Sequence, residues 1–221
     1  MPRTAIVTAV TRAIQSLGLS ARSFTGSQAG VSSLFNFTRD NQQWGGGHFW
    51  FWNLRMHIAA NLGSGAAHLN APAFRLYREN LDSLRTWTRE RMNGRPGICV
   101  PETMRFDGTG WYLAGGSTET NDACDASGAS SYNERTLTTG AAVGTWVWRQ
   151  YLATDDYAFL HANYPLIADA ARFLLAYAVV GEDGKLHTFP SNAHESQWDV
   201  HDPITDITAM KALFPIAIEA A

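Results

Sequence analysis

Phe189-Pro190-Ser191-Asn192-Ala193-His194-Glu195-Ser196 sets a single carboxylic acid among polar, uncharged neighbours, in a predicted loop that follows a pair of helices. An acid presented in this way can donate a proton if its surroundings are dry enough to keep it protonated near neutral pH. Trp198 and Phe189 stand close enough in sequence to help supply that dryness. The chain carries eight Trp and seven Tyr, whose faces stack on the C–H surfaces of sugar rings. Most of the Trp residues read as core between helices, whereas Trp44, Trp111 and Trp198 fall in predicted loops and are the cleft candidates. Together these residues suit acid-assisted cleavage of a glycosidic bond.

Other polar residues have two readings each. Asn53 lies between Trp50-Phe51-Trp52 and Leu54 on an apolar helix; it is either a buried structural amide or an amide turned into a cleft to hold water or a sugar hydroxyl. Glu102 and Asp107 occupy a long loop with Trp111, as solvated carboxylates or as substrate contacts. Asp206 either caps the last helix or orients a neighbour. His48, His57, His194 and His201 read as polar loop residues, because none of their spacings follows a metal-ligand template. Gly45-Gly46-Gly47 lacks the Lys and Ser/Thr of a phosphate loop.

Helices must position these groups. Phe74, Tyr77, Leu81, Leu84 and Trp87 recur at spacings of three and four, and Gly94 and Pro96 end the run. Leu160, Tyr164, Ile167, Ala171, Leu174 and Ala178 form a second stripe, preceded by a helix over 141–152 and the short turn 153–156. Further helices are predicted over 50–62, after Asp202-Pro203 with Asp202 as N-cap, and over 4–17. The helices come in consecutive pairs. Lys185 to Phe189 reads as a short strand after a tight turn. The segment 95–138 is a long irregular loop rich in Gly, Ser, Asp, Asn and Thr, and loops of that length tend to be functional. Helical rhythm persists to Ala221 with no closing signal, which predicts a chain cut from something longer.

Composition excludes several classes. A chain of 221 residues, 45% hydrophobic, can bury a sizeable core. A net charge of -3 offers no basic stripe for a nucleic acid. No apolar run approaches the ~18 residues that cross a bilayer, and the opening Met1 to Arg12 is no convincing signal peptide. Cys99 and Cys124 read as two buried thiols, with a bridge between them open if the protein is exported.

Several separate motifs, in order, resemble the catalytic domain of family 95 glycoside hydrolases. They are Asn53-Leu54-Arg55-Met56, Asn163 to Ile167 with Ala170 to Phe173, Gly184-Lys185-Leu186 to Pro190-Ser191, Glu195, Thr205-Asp206, Leu213-Phe214 and Ile218 to Ala221. The resemblance covers 43–221 and is weakest over the 95–138 insertion. It implies an all-α fold, part of an (α/α)6 toroid of six helical hairpins, with long loops and a short strand, so that 1–221 forms one partial toroid domain. It further implies inverting hydrolysis of a terminal, α-L-fucoside-like sugar, with Glu195 as general acid and Asn53 helping to orient the attacking water. The first Asn of the family's Asn-x-Asn-x-x-Met arrangement is replaced by Phe51. The family's catalytic Asp lies downstream of the matching region, beyond residue 221. Trp44, His48, Glu102, Trp111, His194, Trp198 and Asp206 form the expected substrate-binding set. No metal or cofactor is implied; the expected partner is a carbohydrate, not a nucleic acid or a membrane, and the full-length family member is expected to be secreted or periplasmic. The alternatives are a non-catalytic carbohydrate-binding relative, favoured by Phe51, and a truncated, inactive fragment.

Overall fold

The computed structural model describes residues 49–110, 123–126, 134–193 and 196–221. Six helices dominate them: α1 (Phe51–Gly63), α2 (Ala71–Glu79), α3 (Leu81–Arg91), α4 (Thr139–Thr154), α5 (Tyr157–Tyr177) and α6 (Ile204–Glu219). The strands are short. β1 (Phe49–Trp50) pairs antiparallel with β2 (Thr103–Met104), and β3 (Val179–Val180) with β4 (Leu186–His187). The fold is all-α, with long loops, as expected for part of an α/α toroid. The helix predicted over 4–17 lies outside the described residues.

The stripe through Phe74 and Trp87 forms two helices, not one. They break at Asn80, whose Nδ2 donates to the Leu76 carbonyl at 3.0 Å and to the Phe106 carbonyl at 2.8 Å. A side chain that competes for a helix carbonyl and also ties it to a loop favours a break at that point. The predicted α4 and α5 appear with the link between them intact: Asp155 closes α4 in the left-handed conformation, and the Asp156 carboxylate accepts from the Phe159 N–H at 2.9 Å to start α5.

Helix α4 is central, packing against α5, α6 and α1. Gly144 permits this closeness, since a Cβ there would meet Leu213 Cδ1 at 2.9 Å and Ile167 Cα at 3.4 Å. Leu84, Val147, Ile167 and Leu213 are wholly buried in the shared core. A buried amide chain ties α1 to α4: Asn61 donates to Asn70, which donates in turn to Gln150 at 3.2 Å. Asp169 of α5, almost fully buried, receives Arg85 of α3 at 2.7 Å and Arg172 at 2.6 Å. Gly97 runs against α5 with φ +82°, where a Cβ would stand 2.2 Å from the Asp169 carbonyl.

Three further expectations change. Cys99 and Cys124 are joined in a disulfide, with Cα atoms 5.9 Å apart; spacing alone could not show that two residues 25 apart meet. Asp202 does not cap α6. Its carboxylate is taken by the Thr188 N–H at 2.8 Å and by His187, and Pro203 occupies the N-cap position. His57 is a buried residue of α1 rather than a loop histidine, and burial lowers its pKa.

Candidate active site

The site is built where α1, α4 and α6 begin. A cleft of about 470 Å³ opens between these three helices, lined by Phe51 and Arg55, by Ala141 and Thr145, and by Ile204 and Thr208 among others. Helix N-termini carry partial positive charge and unpaired N–H groups, so polar groups from the loops gather there.

Glu102 is one of them. Its carboxylate accepts from the Trp52 N–H at 3.2 Å, at the start of α1, and from the Thr139 hydroxyl at 3.2 Å, at the start of α4. Its carbonyl accepts from the Phe51 N–H at 2.9 Å. Only 8% exposed, Glu102 serves as a tie between two helix starts. The pKa of Tyr77 beneath it is raised, by the burial of the phenol first and by the Glu102 charge second. Asn53 follows Trp52 in the first turn of α1 and is half-buried. Phe51, at the position where the family arrangement has Asn, stacks on Trp146 with ring centroids 4.8 Å apart.

A hairpin over 188–202 carries the sequence motif that contains Glu195. Ser191 and Val200 exchange backbone hydrogen bonds at 2.9 and 3.2 Å, and the Ala193 N–H donates to the Gln197 carbonyl at 2.9 Å. Positions 194 and 195 fall between those last two residues in sequence. At the base, the Asp202 N–H donates to the Thr188 carbonyl at 3.0 Å, and Phe189 stacks on His201 with centroids 3.7 Å apart. Tyr177 donates from its hydroxyl to the Pro190 carbonyl at 2.5 Å. Trp198, 43% exposed, presents an aromatic surface on this hairpin.

Asp206 lies beneath the hairpin, fully buried, and not on an open cleft wall. Thr188 donates its hydroxyl to Asp206 Oδ2 at 2.8 Å, while Oδ1 has no hydrogen-bond partner. Burial, the largest influence, raises its pKa. Asp107 is bound within its own loop, accepting from the Thr109 N–H and hydroxyl. Trp44, His48, Trp111, His194 and Glu195 lie outside the described residues. No cluster of three or more metal-ligating side chains occurs among the described residues.

A sequence profile of the glycosyl hydrolase family 95 catalytic domain matches residues 38–220. The chain belongs to glycoside hydrolase family 95. No curated protein gives a significant match to it. For a family 95 domain the natural substrate class is a carbohydrate.

Reasoning from sequence missed two features of this region. Arg135 is buried beside the hairpin, with its guanidinium 2.9 Å from Asp199; nothing in the local sequence marks it, because its partner is 64 residues away. His187 bridges two carboxylates, with Nδ1 2.6 Å from Asp202 and Nε2 3.0 Å from Asp183. The i,i+4 spacing of Asp183 and His187 was the one available signal.

Proposed function

We propose that residues 43–221 act as a catalytic unit of an inverting glycoside hydrolase that removes a terminal, α-L-fucoside-like sugar, with Glu195 as the general acid. What supports the reading is the family 95 profile match over residues 38–220, together with a hairpin tied at Ser191–Val200 and Ala193–Gln197 whose sequence carries Glu195 between Ala193 and Gln197. In the proposed reaction the acid protonates the glycosidic oxygen as the bond to the anomeric carbon breaks. A water deprotonated by a second carboxylate, which the family resemblance puts beyond residue 221 and so outside this unit, attacks the opposite face of the ring, which inverts the configuration. Asn53, in the first turn of α1, orients that water or the sugar.

The test is hydrolysis of an aryl α-L-fucoside by the parent protein and by Glu195→Gln, with the first-formed anomer followed by proton NMR. The parent should release the β-anomer first, and the Gln variant should lose on the order of 10²–10⁴ in rate. Full activity in the variant, or first release of the α-anomer, would sink the reading. A second reading is favoured by the burial of Phe51 against Trp146 in place of a water-orienting Asn: a carbohydrate-binding relative without turnover. Sugar binding by both proteins with hydrolysis by neither would decide for it.

A further inference from the structure

The cleft between α1, α4 and α6 is lined by two guanidinium side chains, Arg55 and Arg149, and by no carboxylate among the described residues. Their placement follows from the stacked rings of Phe51 and Trp146. Arg55 comes four residues after Phe51 on α1, and Arg149 three after Trp146 on α4. Each therefore stands one turn along from a stacked ring, on the same face of its helix. Arg55 is held further by Trp52, with the guanidinium carbon 4.4 Å from the ring centroid. In a chain of net charge -3, a lining with two positive charges and no negative one is a local reversal.

Other arginines in the fold take a carboxylate: Arg85 and Arg172 reach Asp169, Arg91 reaches Asp125, and Arg135 reaches Asp199. Arg55 and Arg149 make no ion pair among the described residues. The acids nearest to them in sequence order along these helix starts are committed elsewhere. Glu102 turns its two oxygens to the Trp52 N–H and the Thr139 hydroxyl, and Asp206 takes the Thr188 hydroxyl beneath the hairpin. Two hydroxyls on the lining, by contrast, are unused. Thr138 stands at the N-cap of α4 without a side-chain capping bond, and Thr205 Oγ1, in the first turn of α6, is buried with no hydrogen-bond partner among the described residues. A Thr side chain in a helix has two rotamers open to it, so Thr205 can turn to a ligand without giving up a bond inside the protein.

We propose that this cleft takes the acidic group of an anionic glycan, a uronate carboxylate or a sulfate ester, between Arg55 and Arg149. Both groups present paired oxygens to the fork of a guanidinium, which bonds them bidentately. Ala141, Ala142 and Ala212 complete the lining with small apolar surfaces, against which the C–H face of a sugar ring packs. The proposal rests on the reading of the domain as one that acts on a carbohydrate, and it narrows the substrate. The sugar that is released can be neutral; the acidic group then belongs to another residue of the same glycan.

The test compares three probes by titration calorimetry: a trigalacturonate, a sulfated galactotriose and the neutral galactotriose. The proteins are the parent, Arg55→Met, Arg149→Met, the double variant, and Arg78→Met on α2 as a control that removes one exposed charge outside the cleft. Melting temperatures are recorded for all, and the single variants carry the test if the double variant does not fold. The parent should bind at least one acidic trisaccharide about tenfold or more tighter than the neutral one, and the acidic probe it prefers names the source of the charge. That preference should fall in each single variant, vanish in the double variant and persist in Arg78→Met. Equal binding of acidic and neutral probes, no binding of either, or an equal loss in Arg78→Met would overturn the proposal. The aryl α-L-fucoside carries no charge, so its hydrolysis judges the cleavage separately. Turnover without an acidic preference overturns the acidic site alone, whereas an acidic preference without turnover keeps the site and decides for the binding relative.

Discussion

Asp206 and His187 show how strongly the setting of a single side chain governs its charge. Asp206 has a raised pKa because it is buried with one oxygen unpaired, so the folded protein binds a proton that the unfolded chain releases. Stability linked to Asp206 is therefore greatest at low pH and declines as pH rises from the ordinary carboxylate value through the raised one. Asp206→Asn should abolish that decline, and at pH 7 its stability in urea should match or exceed that of the parent by on the order of 1 kcal/mol. His187 gains stability from its charged form. Asp183 foremost, then Asp202, raises its pKa, so its contribution is present below about 6.5 and is lost as pH climbs through the raised value. Ring titration by NMR should give an apparent pKa above that of a free imidazole, and Asp202→Asn should bring it down. Neither role was legible in sequence. Asp206 and Glu102 read there as acids with two possible uses, and what decides between them is burial under Thr188 or contact with Trp52 and Thr139, which only the tertiary fold brings about.

Helices were the most legible elements, because an apolar residue every third or fourth position reports a buried face whatever the partner. The extents of α1, α4, α5 and α6 follow that signal closely. The break at Asn80 did not, since the Phe106 carbonyl that shares its amide comes from a loop 26 residues on. The Cys99–Cys124 bridge was equally hidden. It joins residues 25 apart in sequence, and replacing both cysteines by Ala should cost about 2–4 kcal/mol, read as a fall in melting temperature of roughly 5–15 °C. Gly97 is a second element-level prediction. With φ +82° and the Asp169 carbonyl in the place of any Cβ, Gly97→Ala should destabilise by more than ~2 kcal/mol, whereas Gly94→Ala, which has φ +74° but open space, should cost only about 1 kcal/mol. Chemical denaturation of the two variants side by side checks the contrast.

For the molecule as a whole, the sequence motifs pointed to family 95 before any contact was known, because they keep their order along the chain even where the 95–138 segment diverges. The motifs could not show that α1, α4 and α6 start around a common cleft, nor that Phe51 lies flat on Trp146. Among the described residues no helix is long and apolar enough to cross a membrane. If the cleft binds the proposed sugar, L-fucose at about 100 times its dissociation constant should add about 2.7 kcal/mol, raising the melting temperature by roughly 5–10 °C, while D-galactose should shift it less. Equal shifts with both sugars would argue against an α-L-fucoside-like substrate.

The attachments of the hairpin at Thr188, Pro190 and Asp202 belong to its base, away from the connection between Ala193 and Gln197. If Glu195 is the proposed acid, Glu195→Gln should therefore leave these attachments intact while halting turnover. Immobilised on a resin, a Glu195→Gln protein would serve as bait that retains glycans from a complex mixture, so that the identity of the natural sugar could be read by mass spectrometry of what elutes.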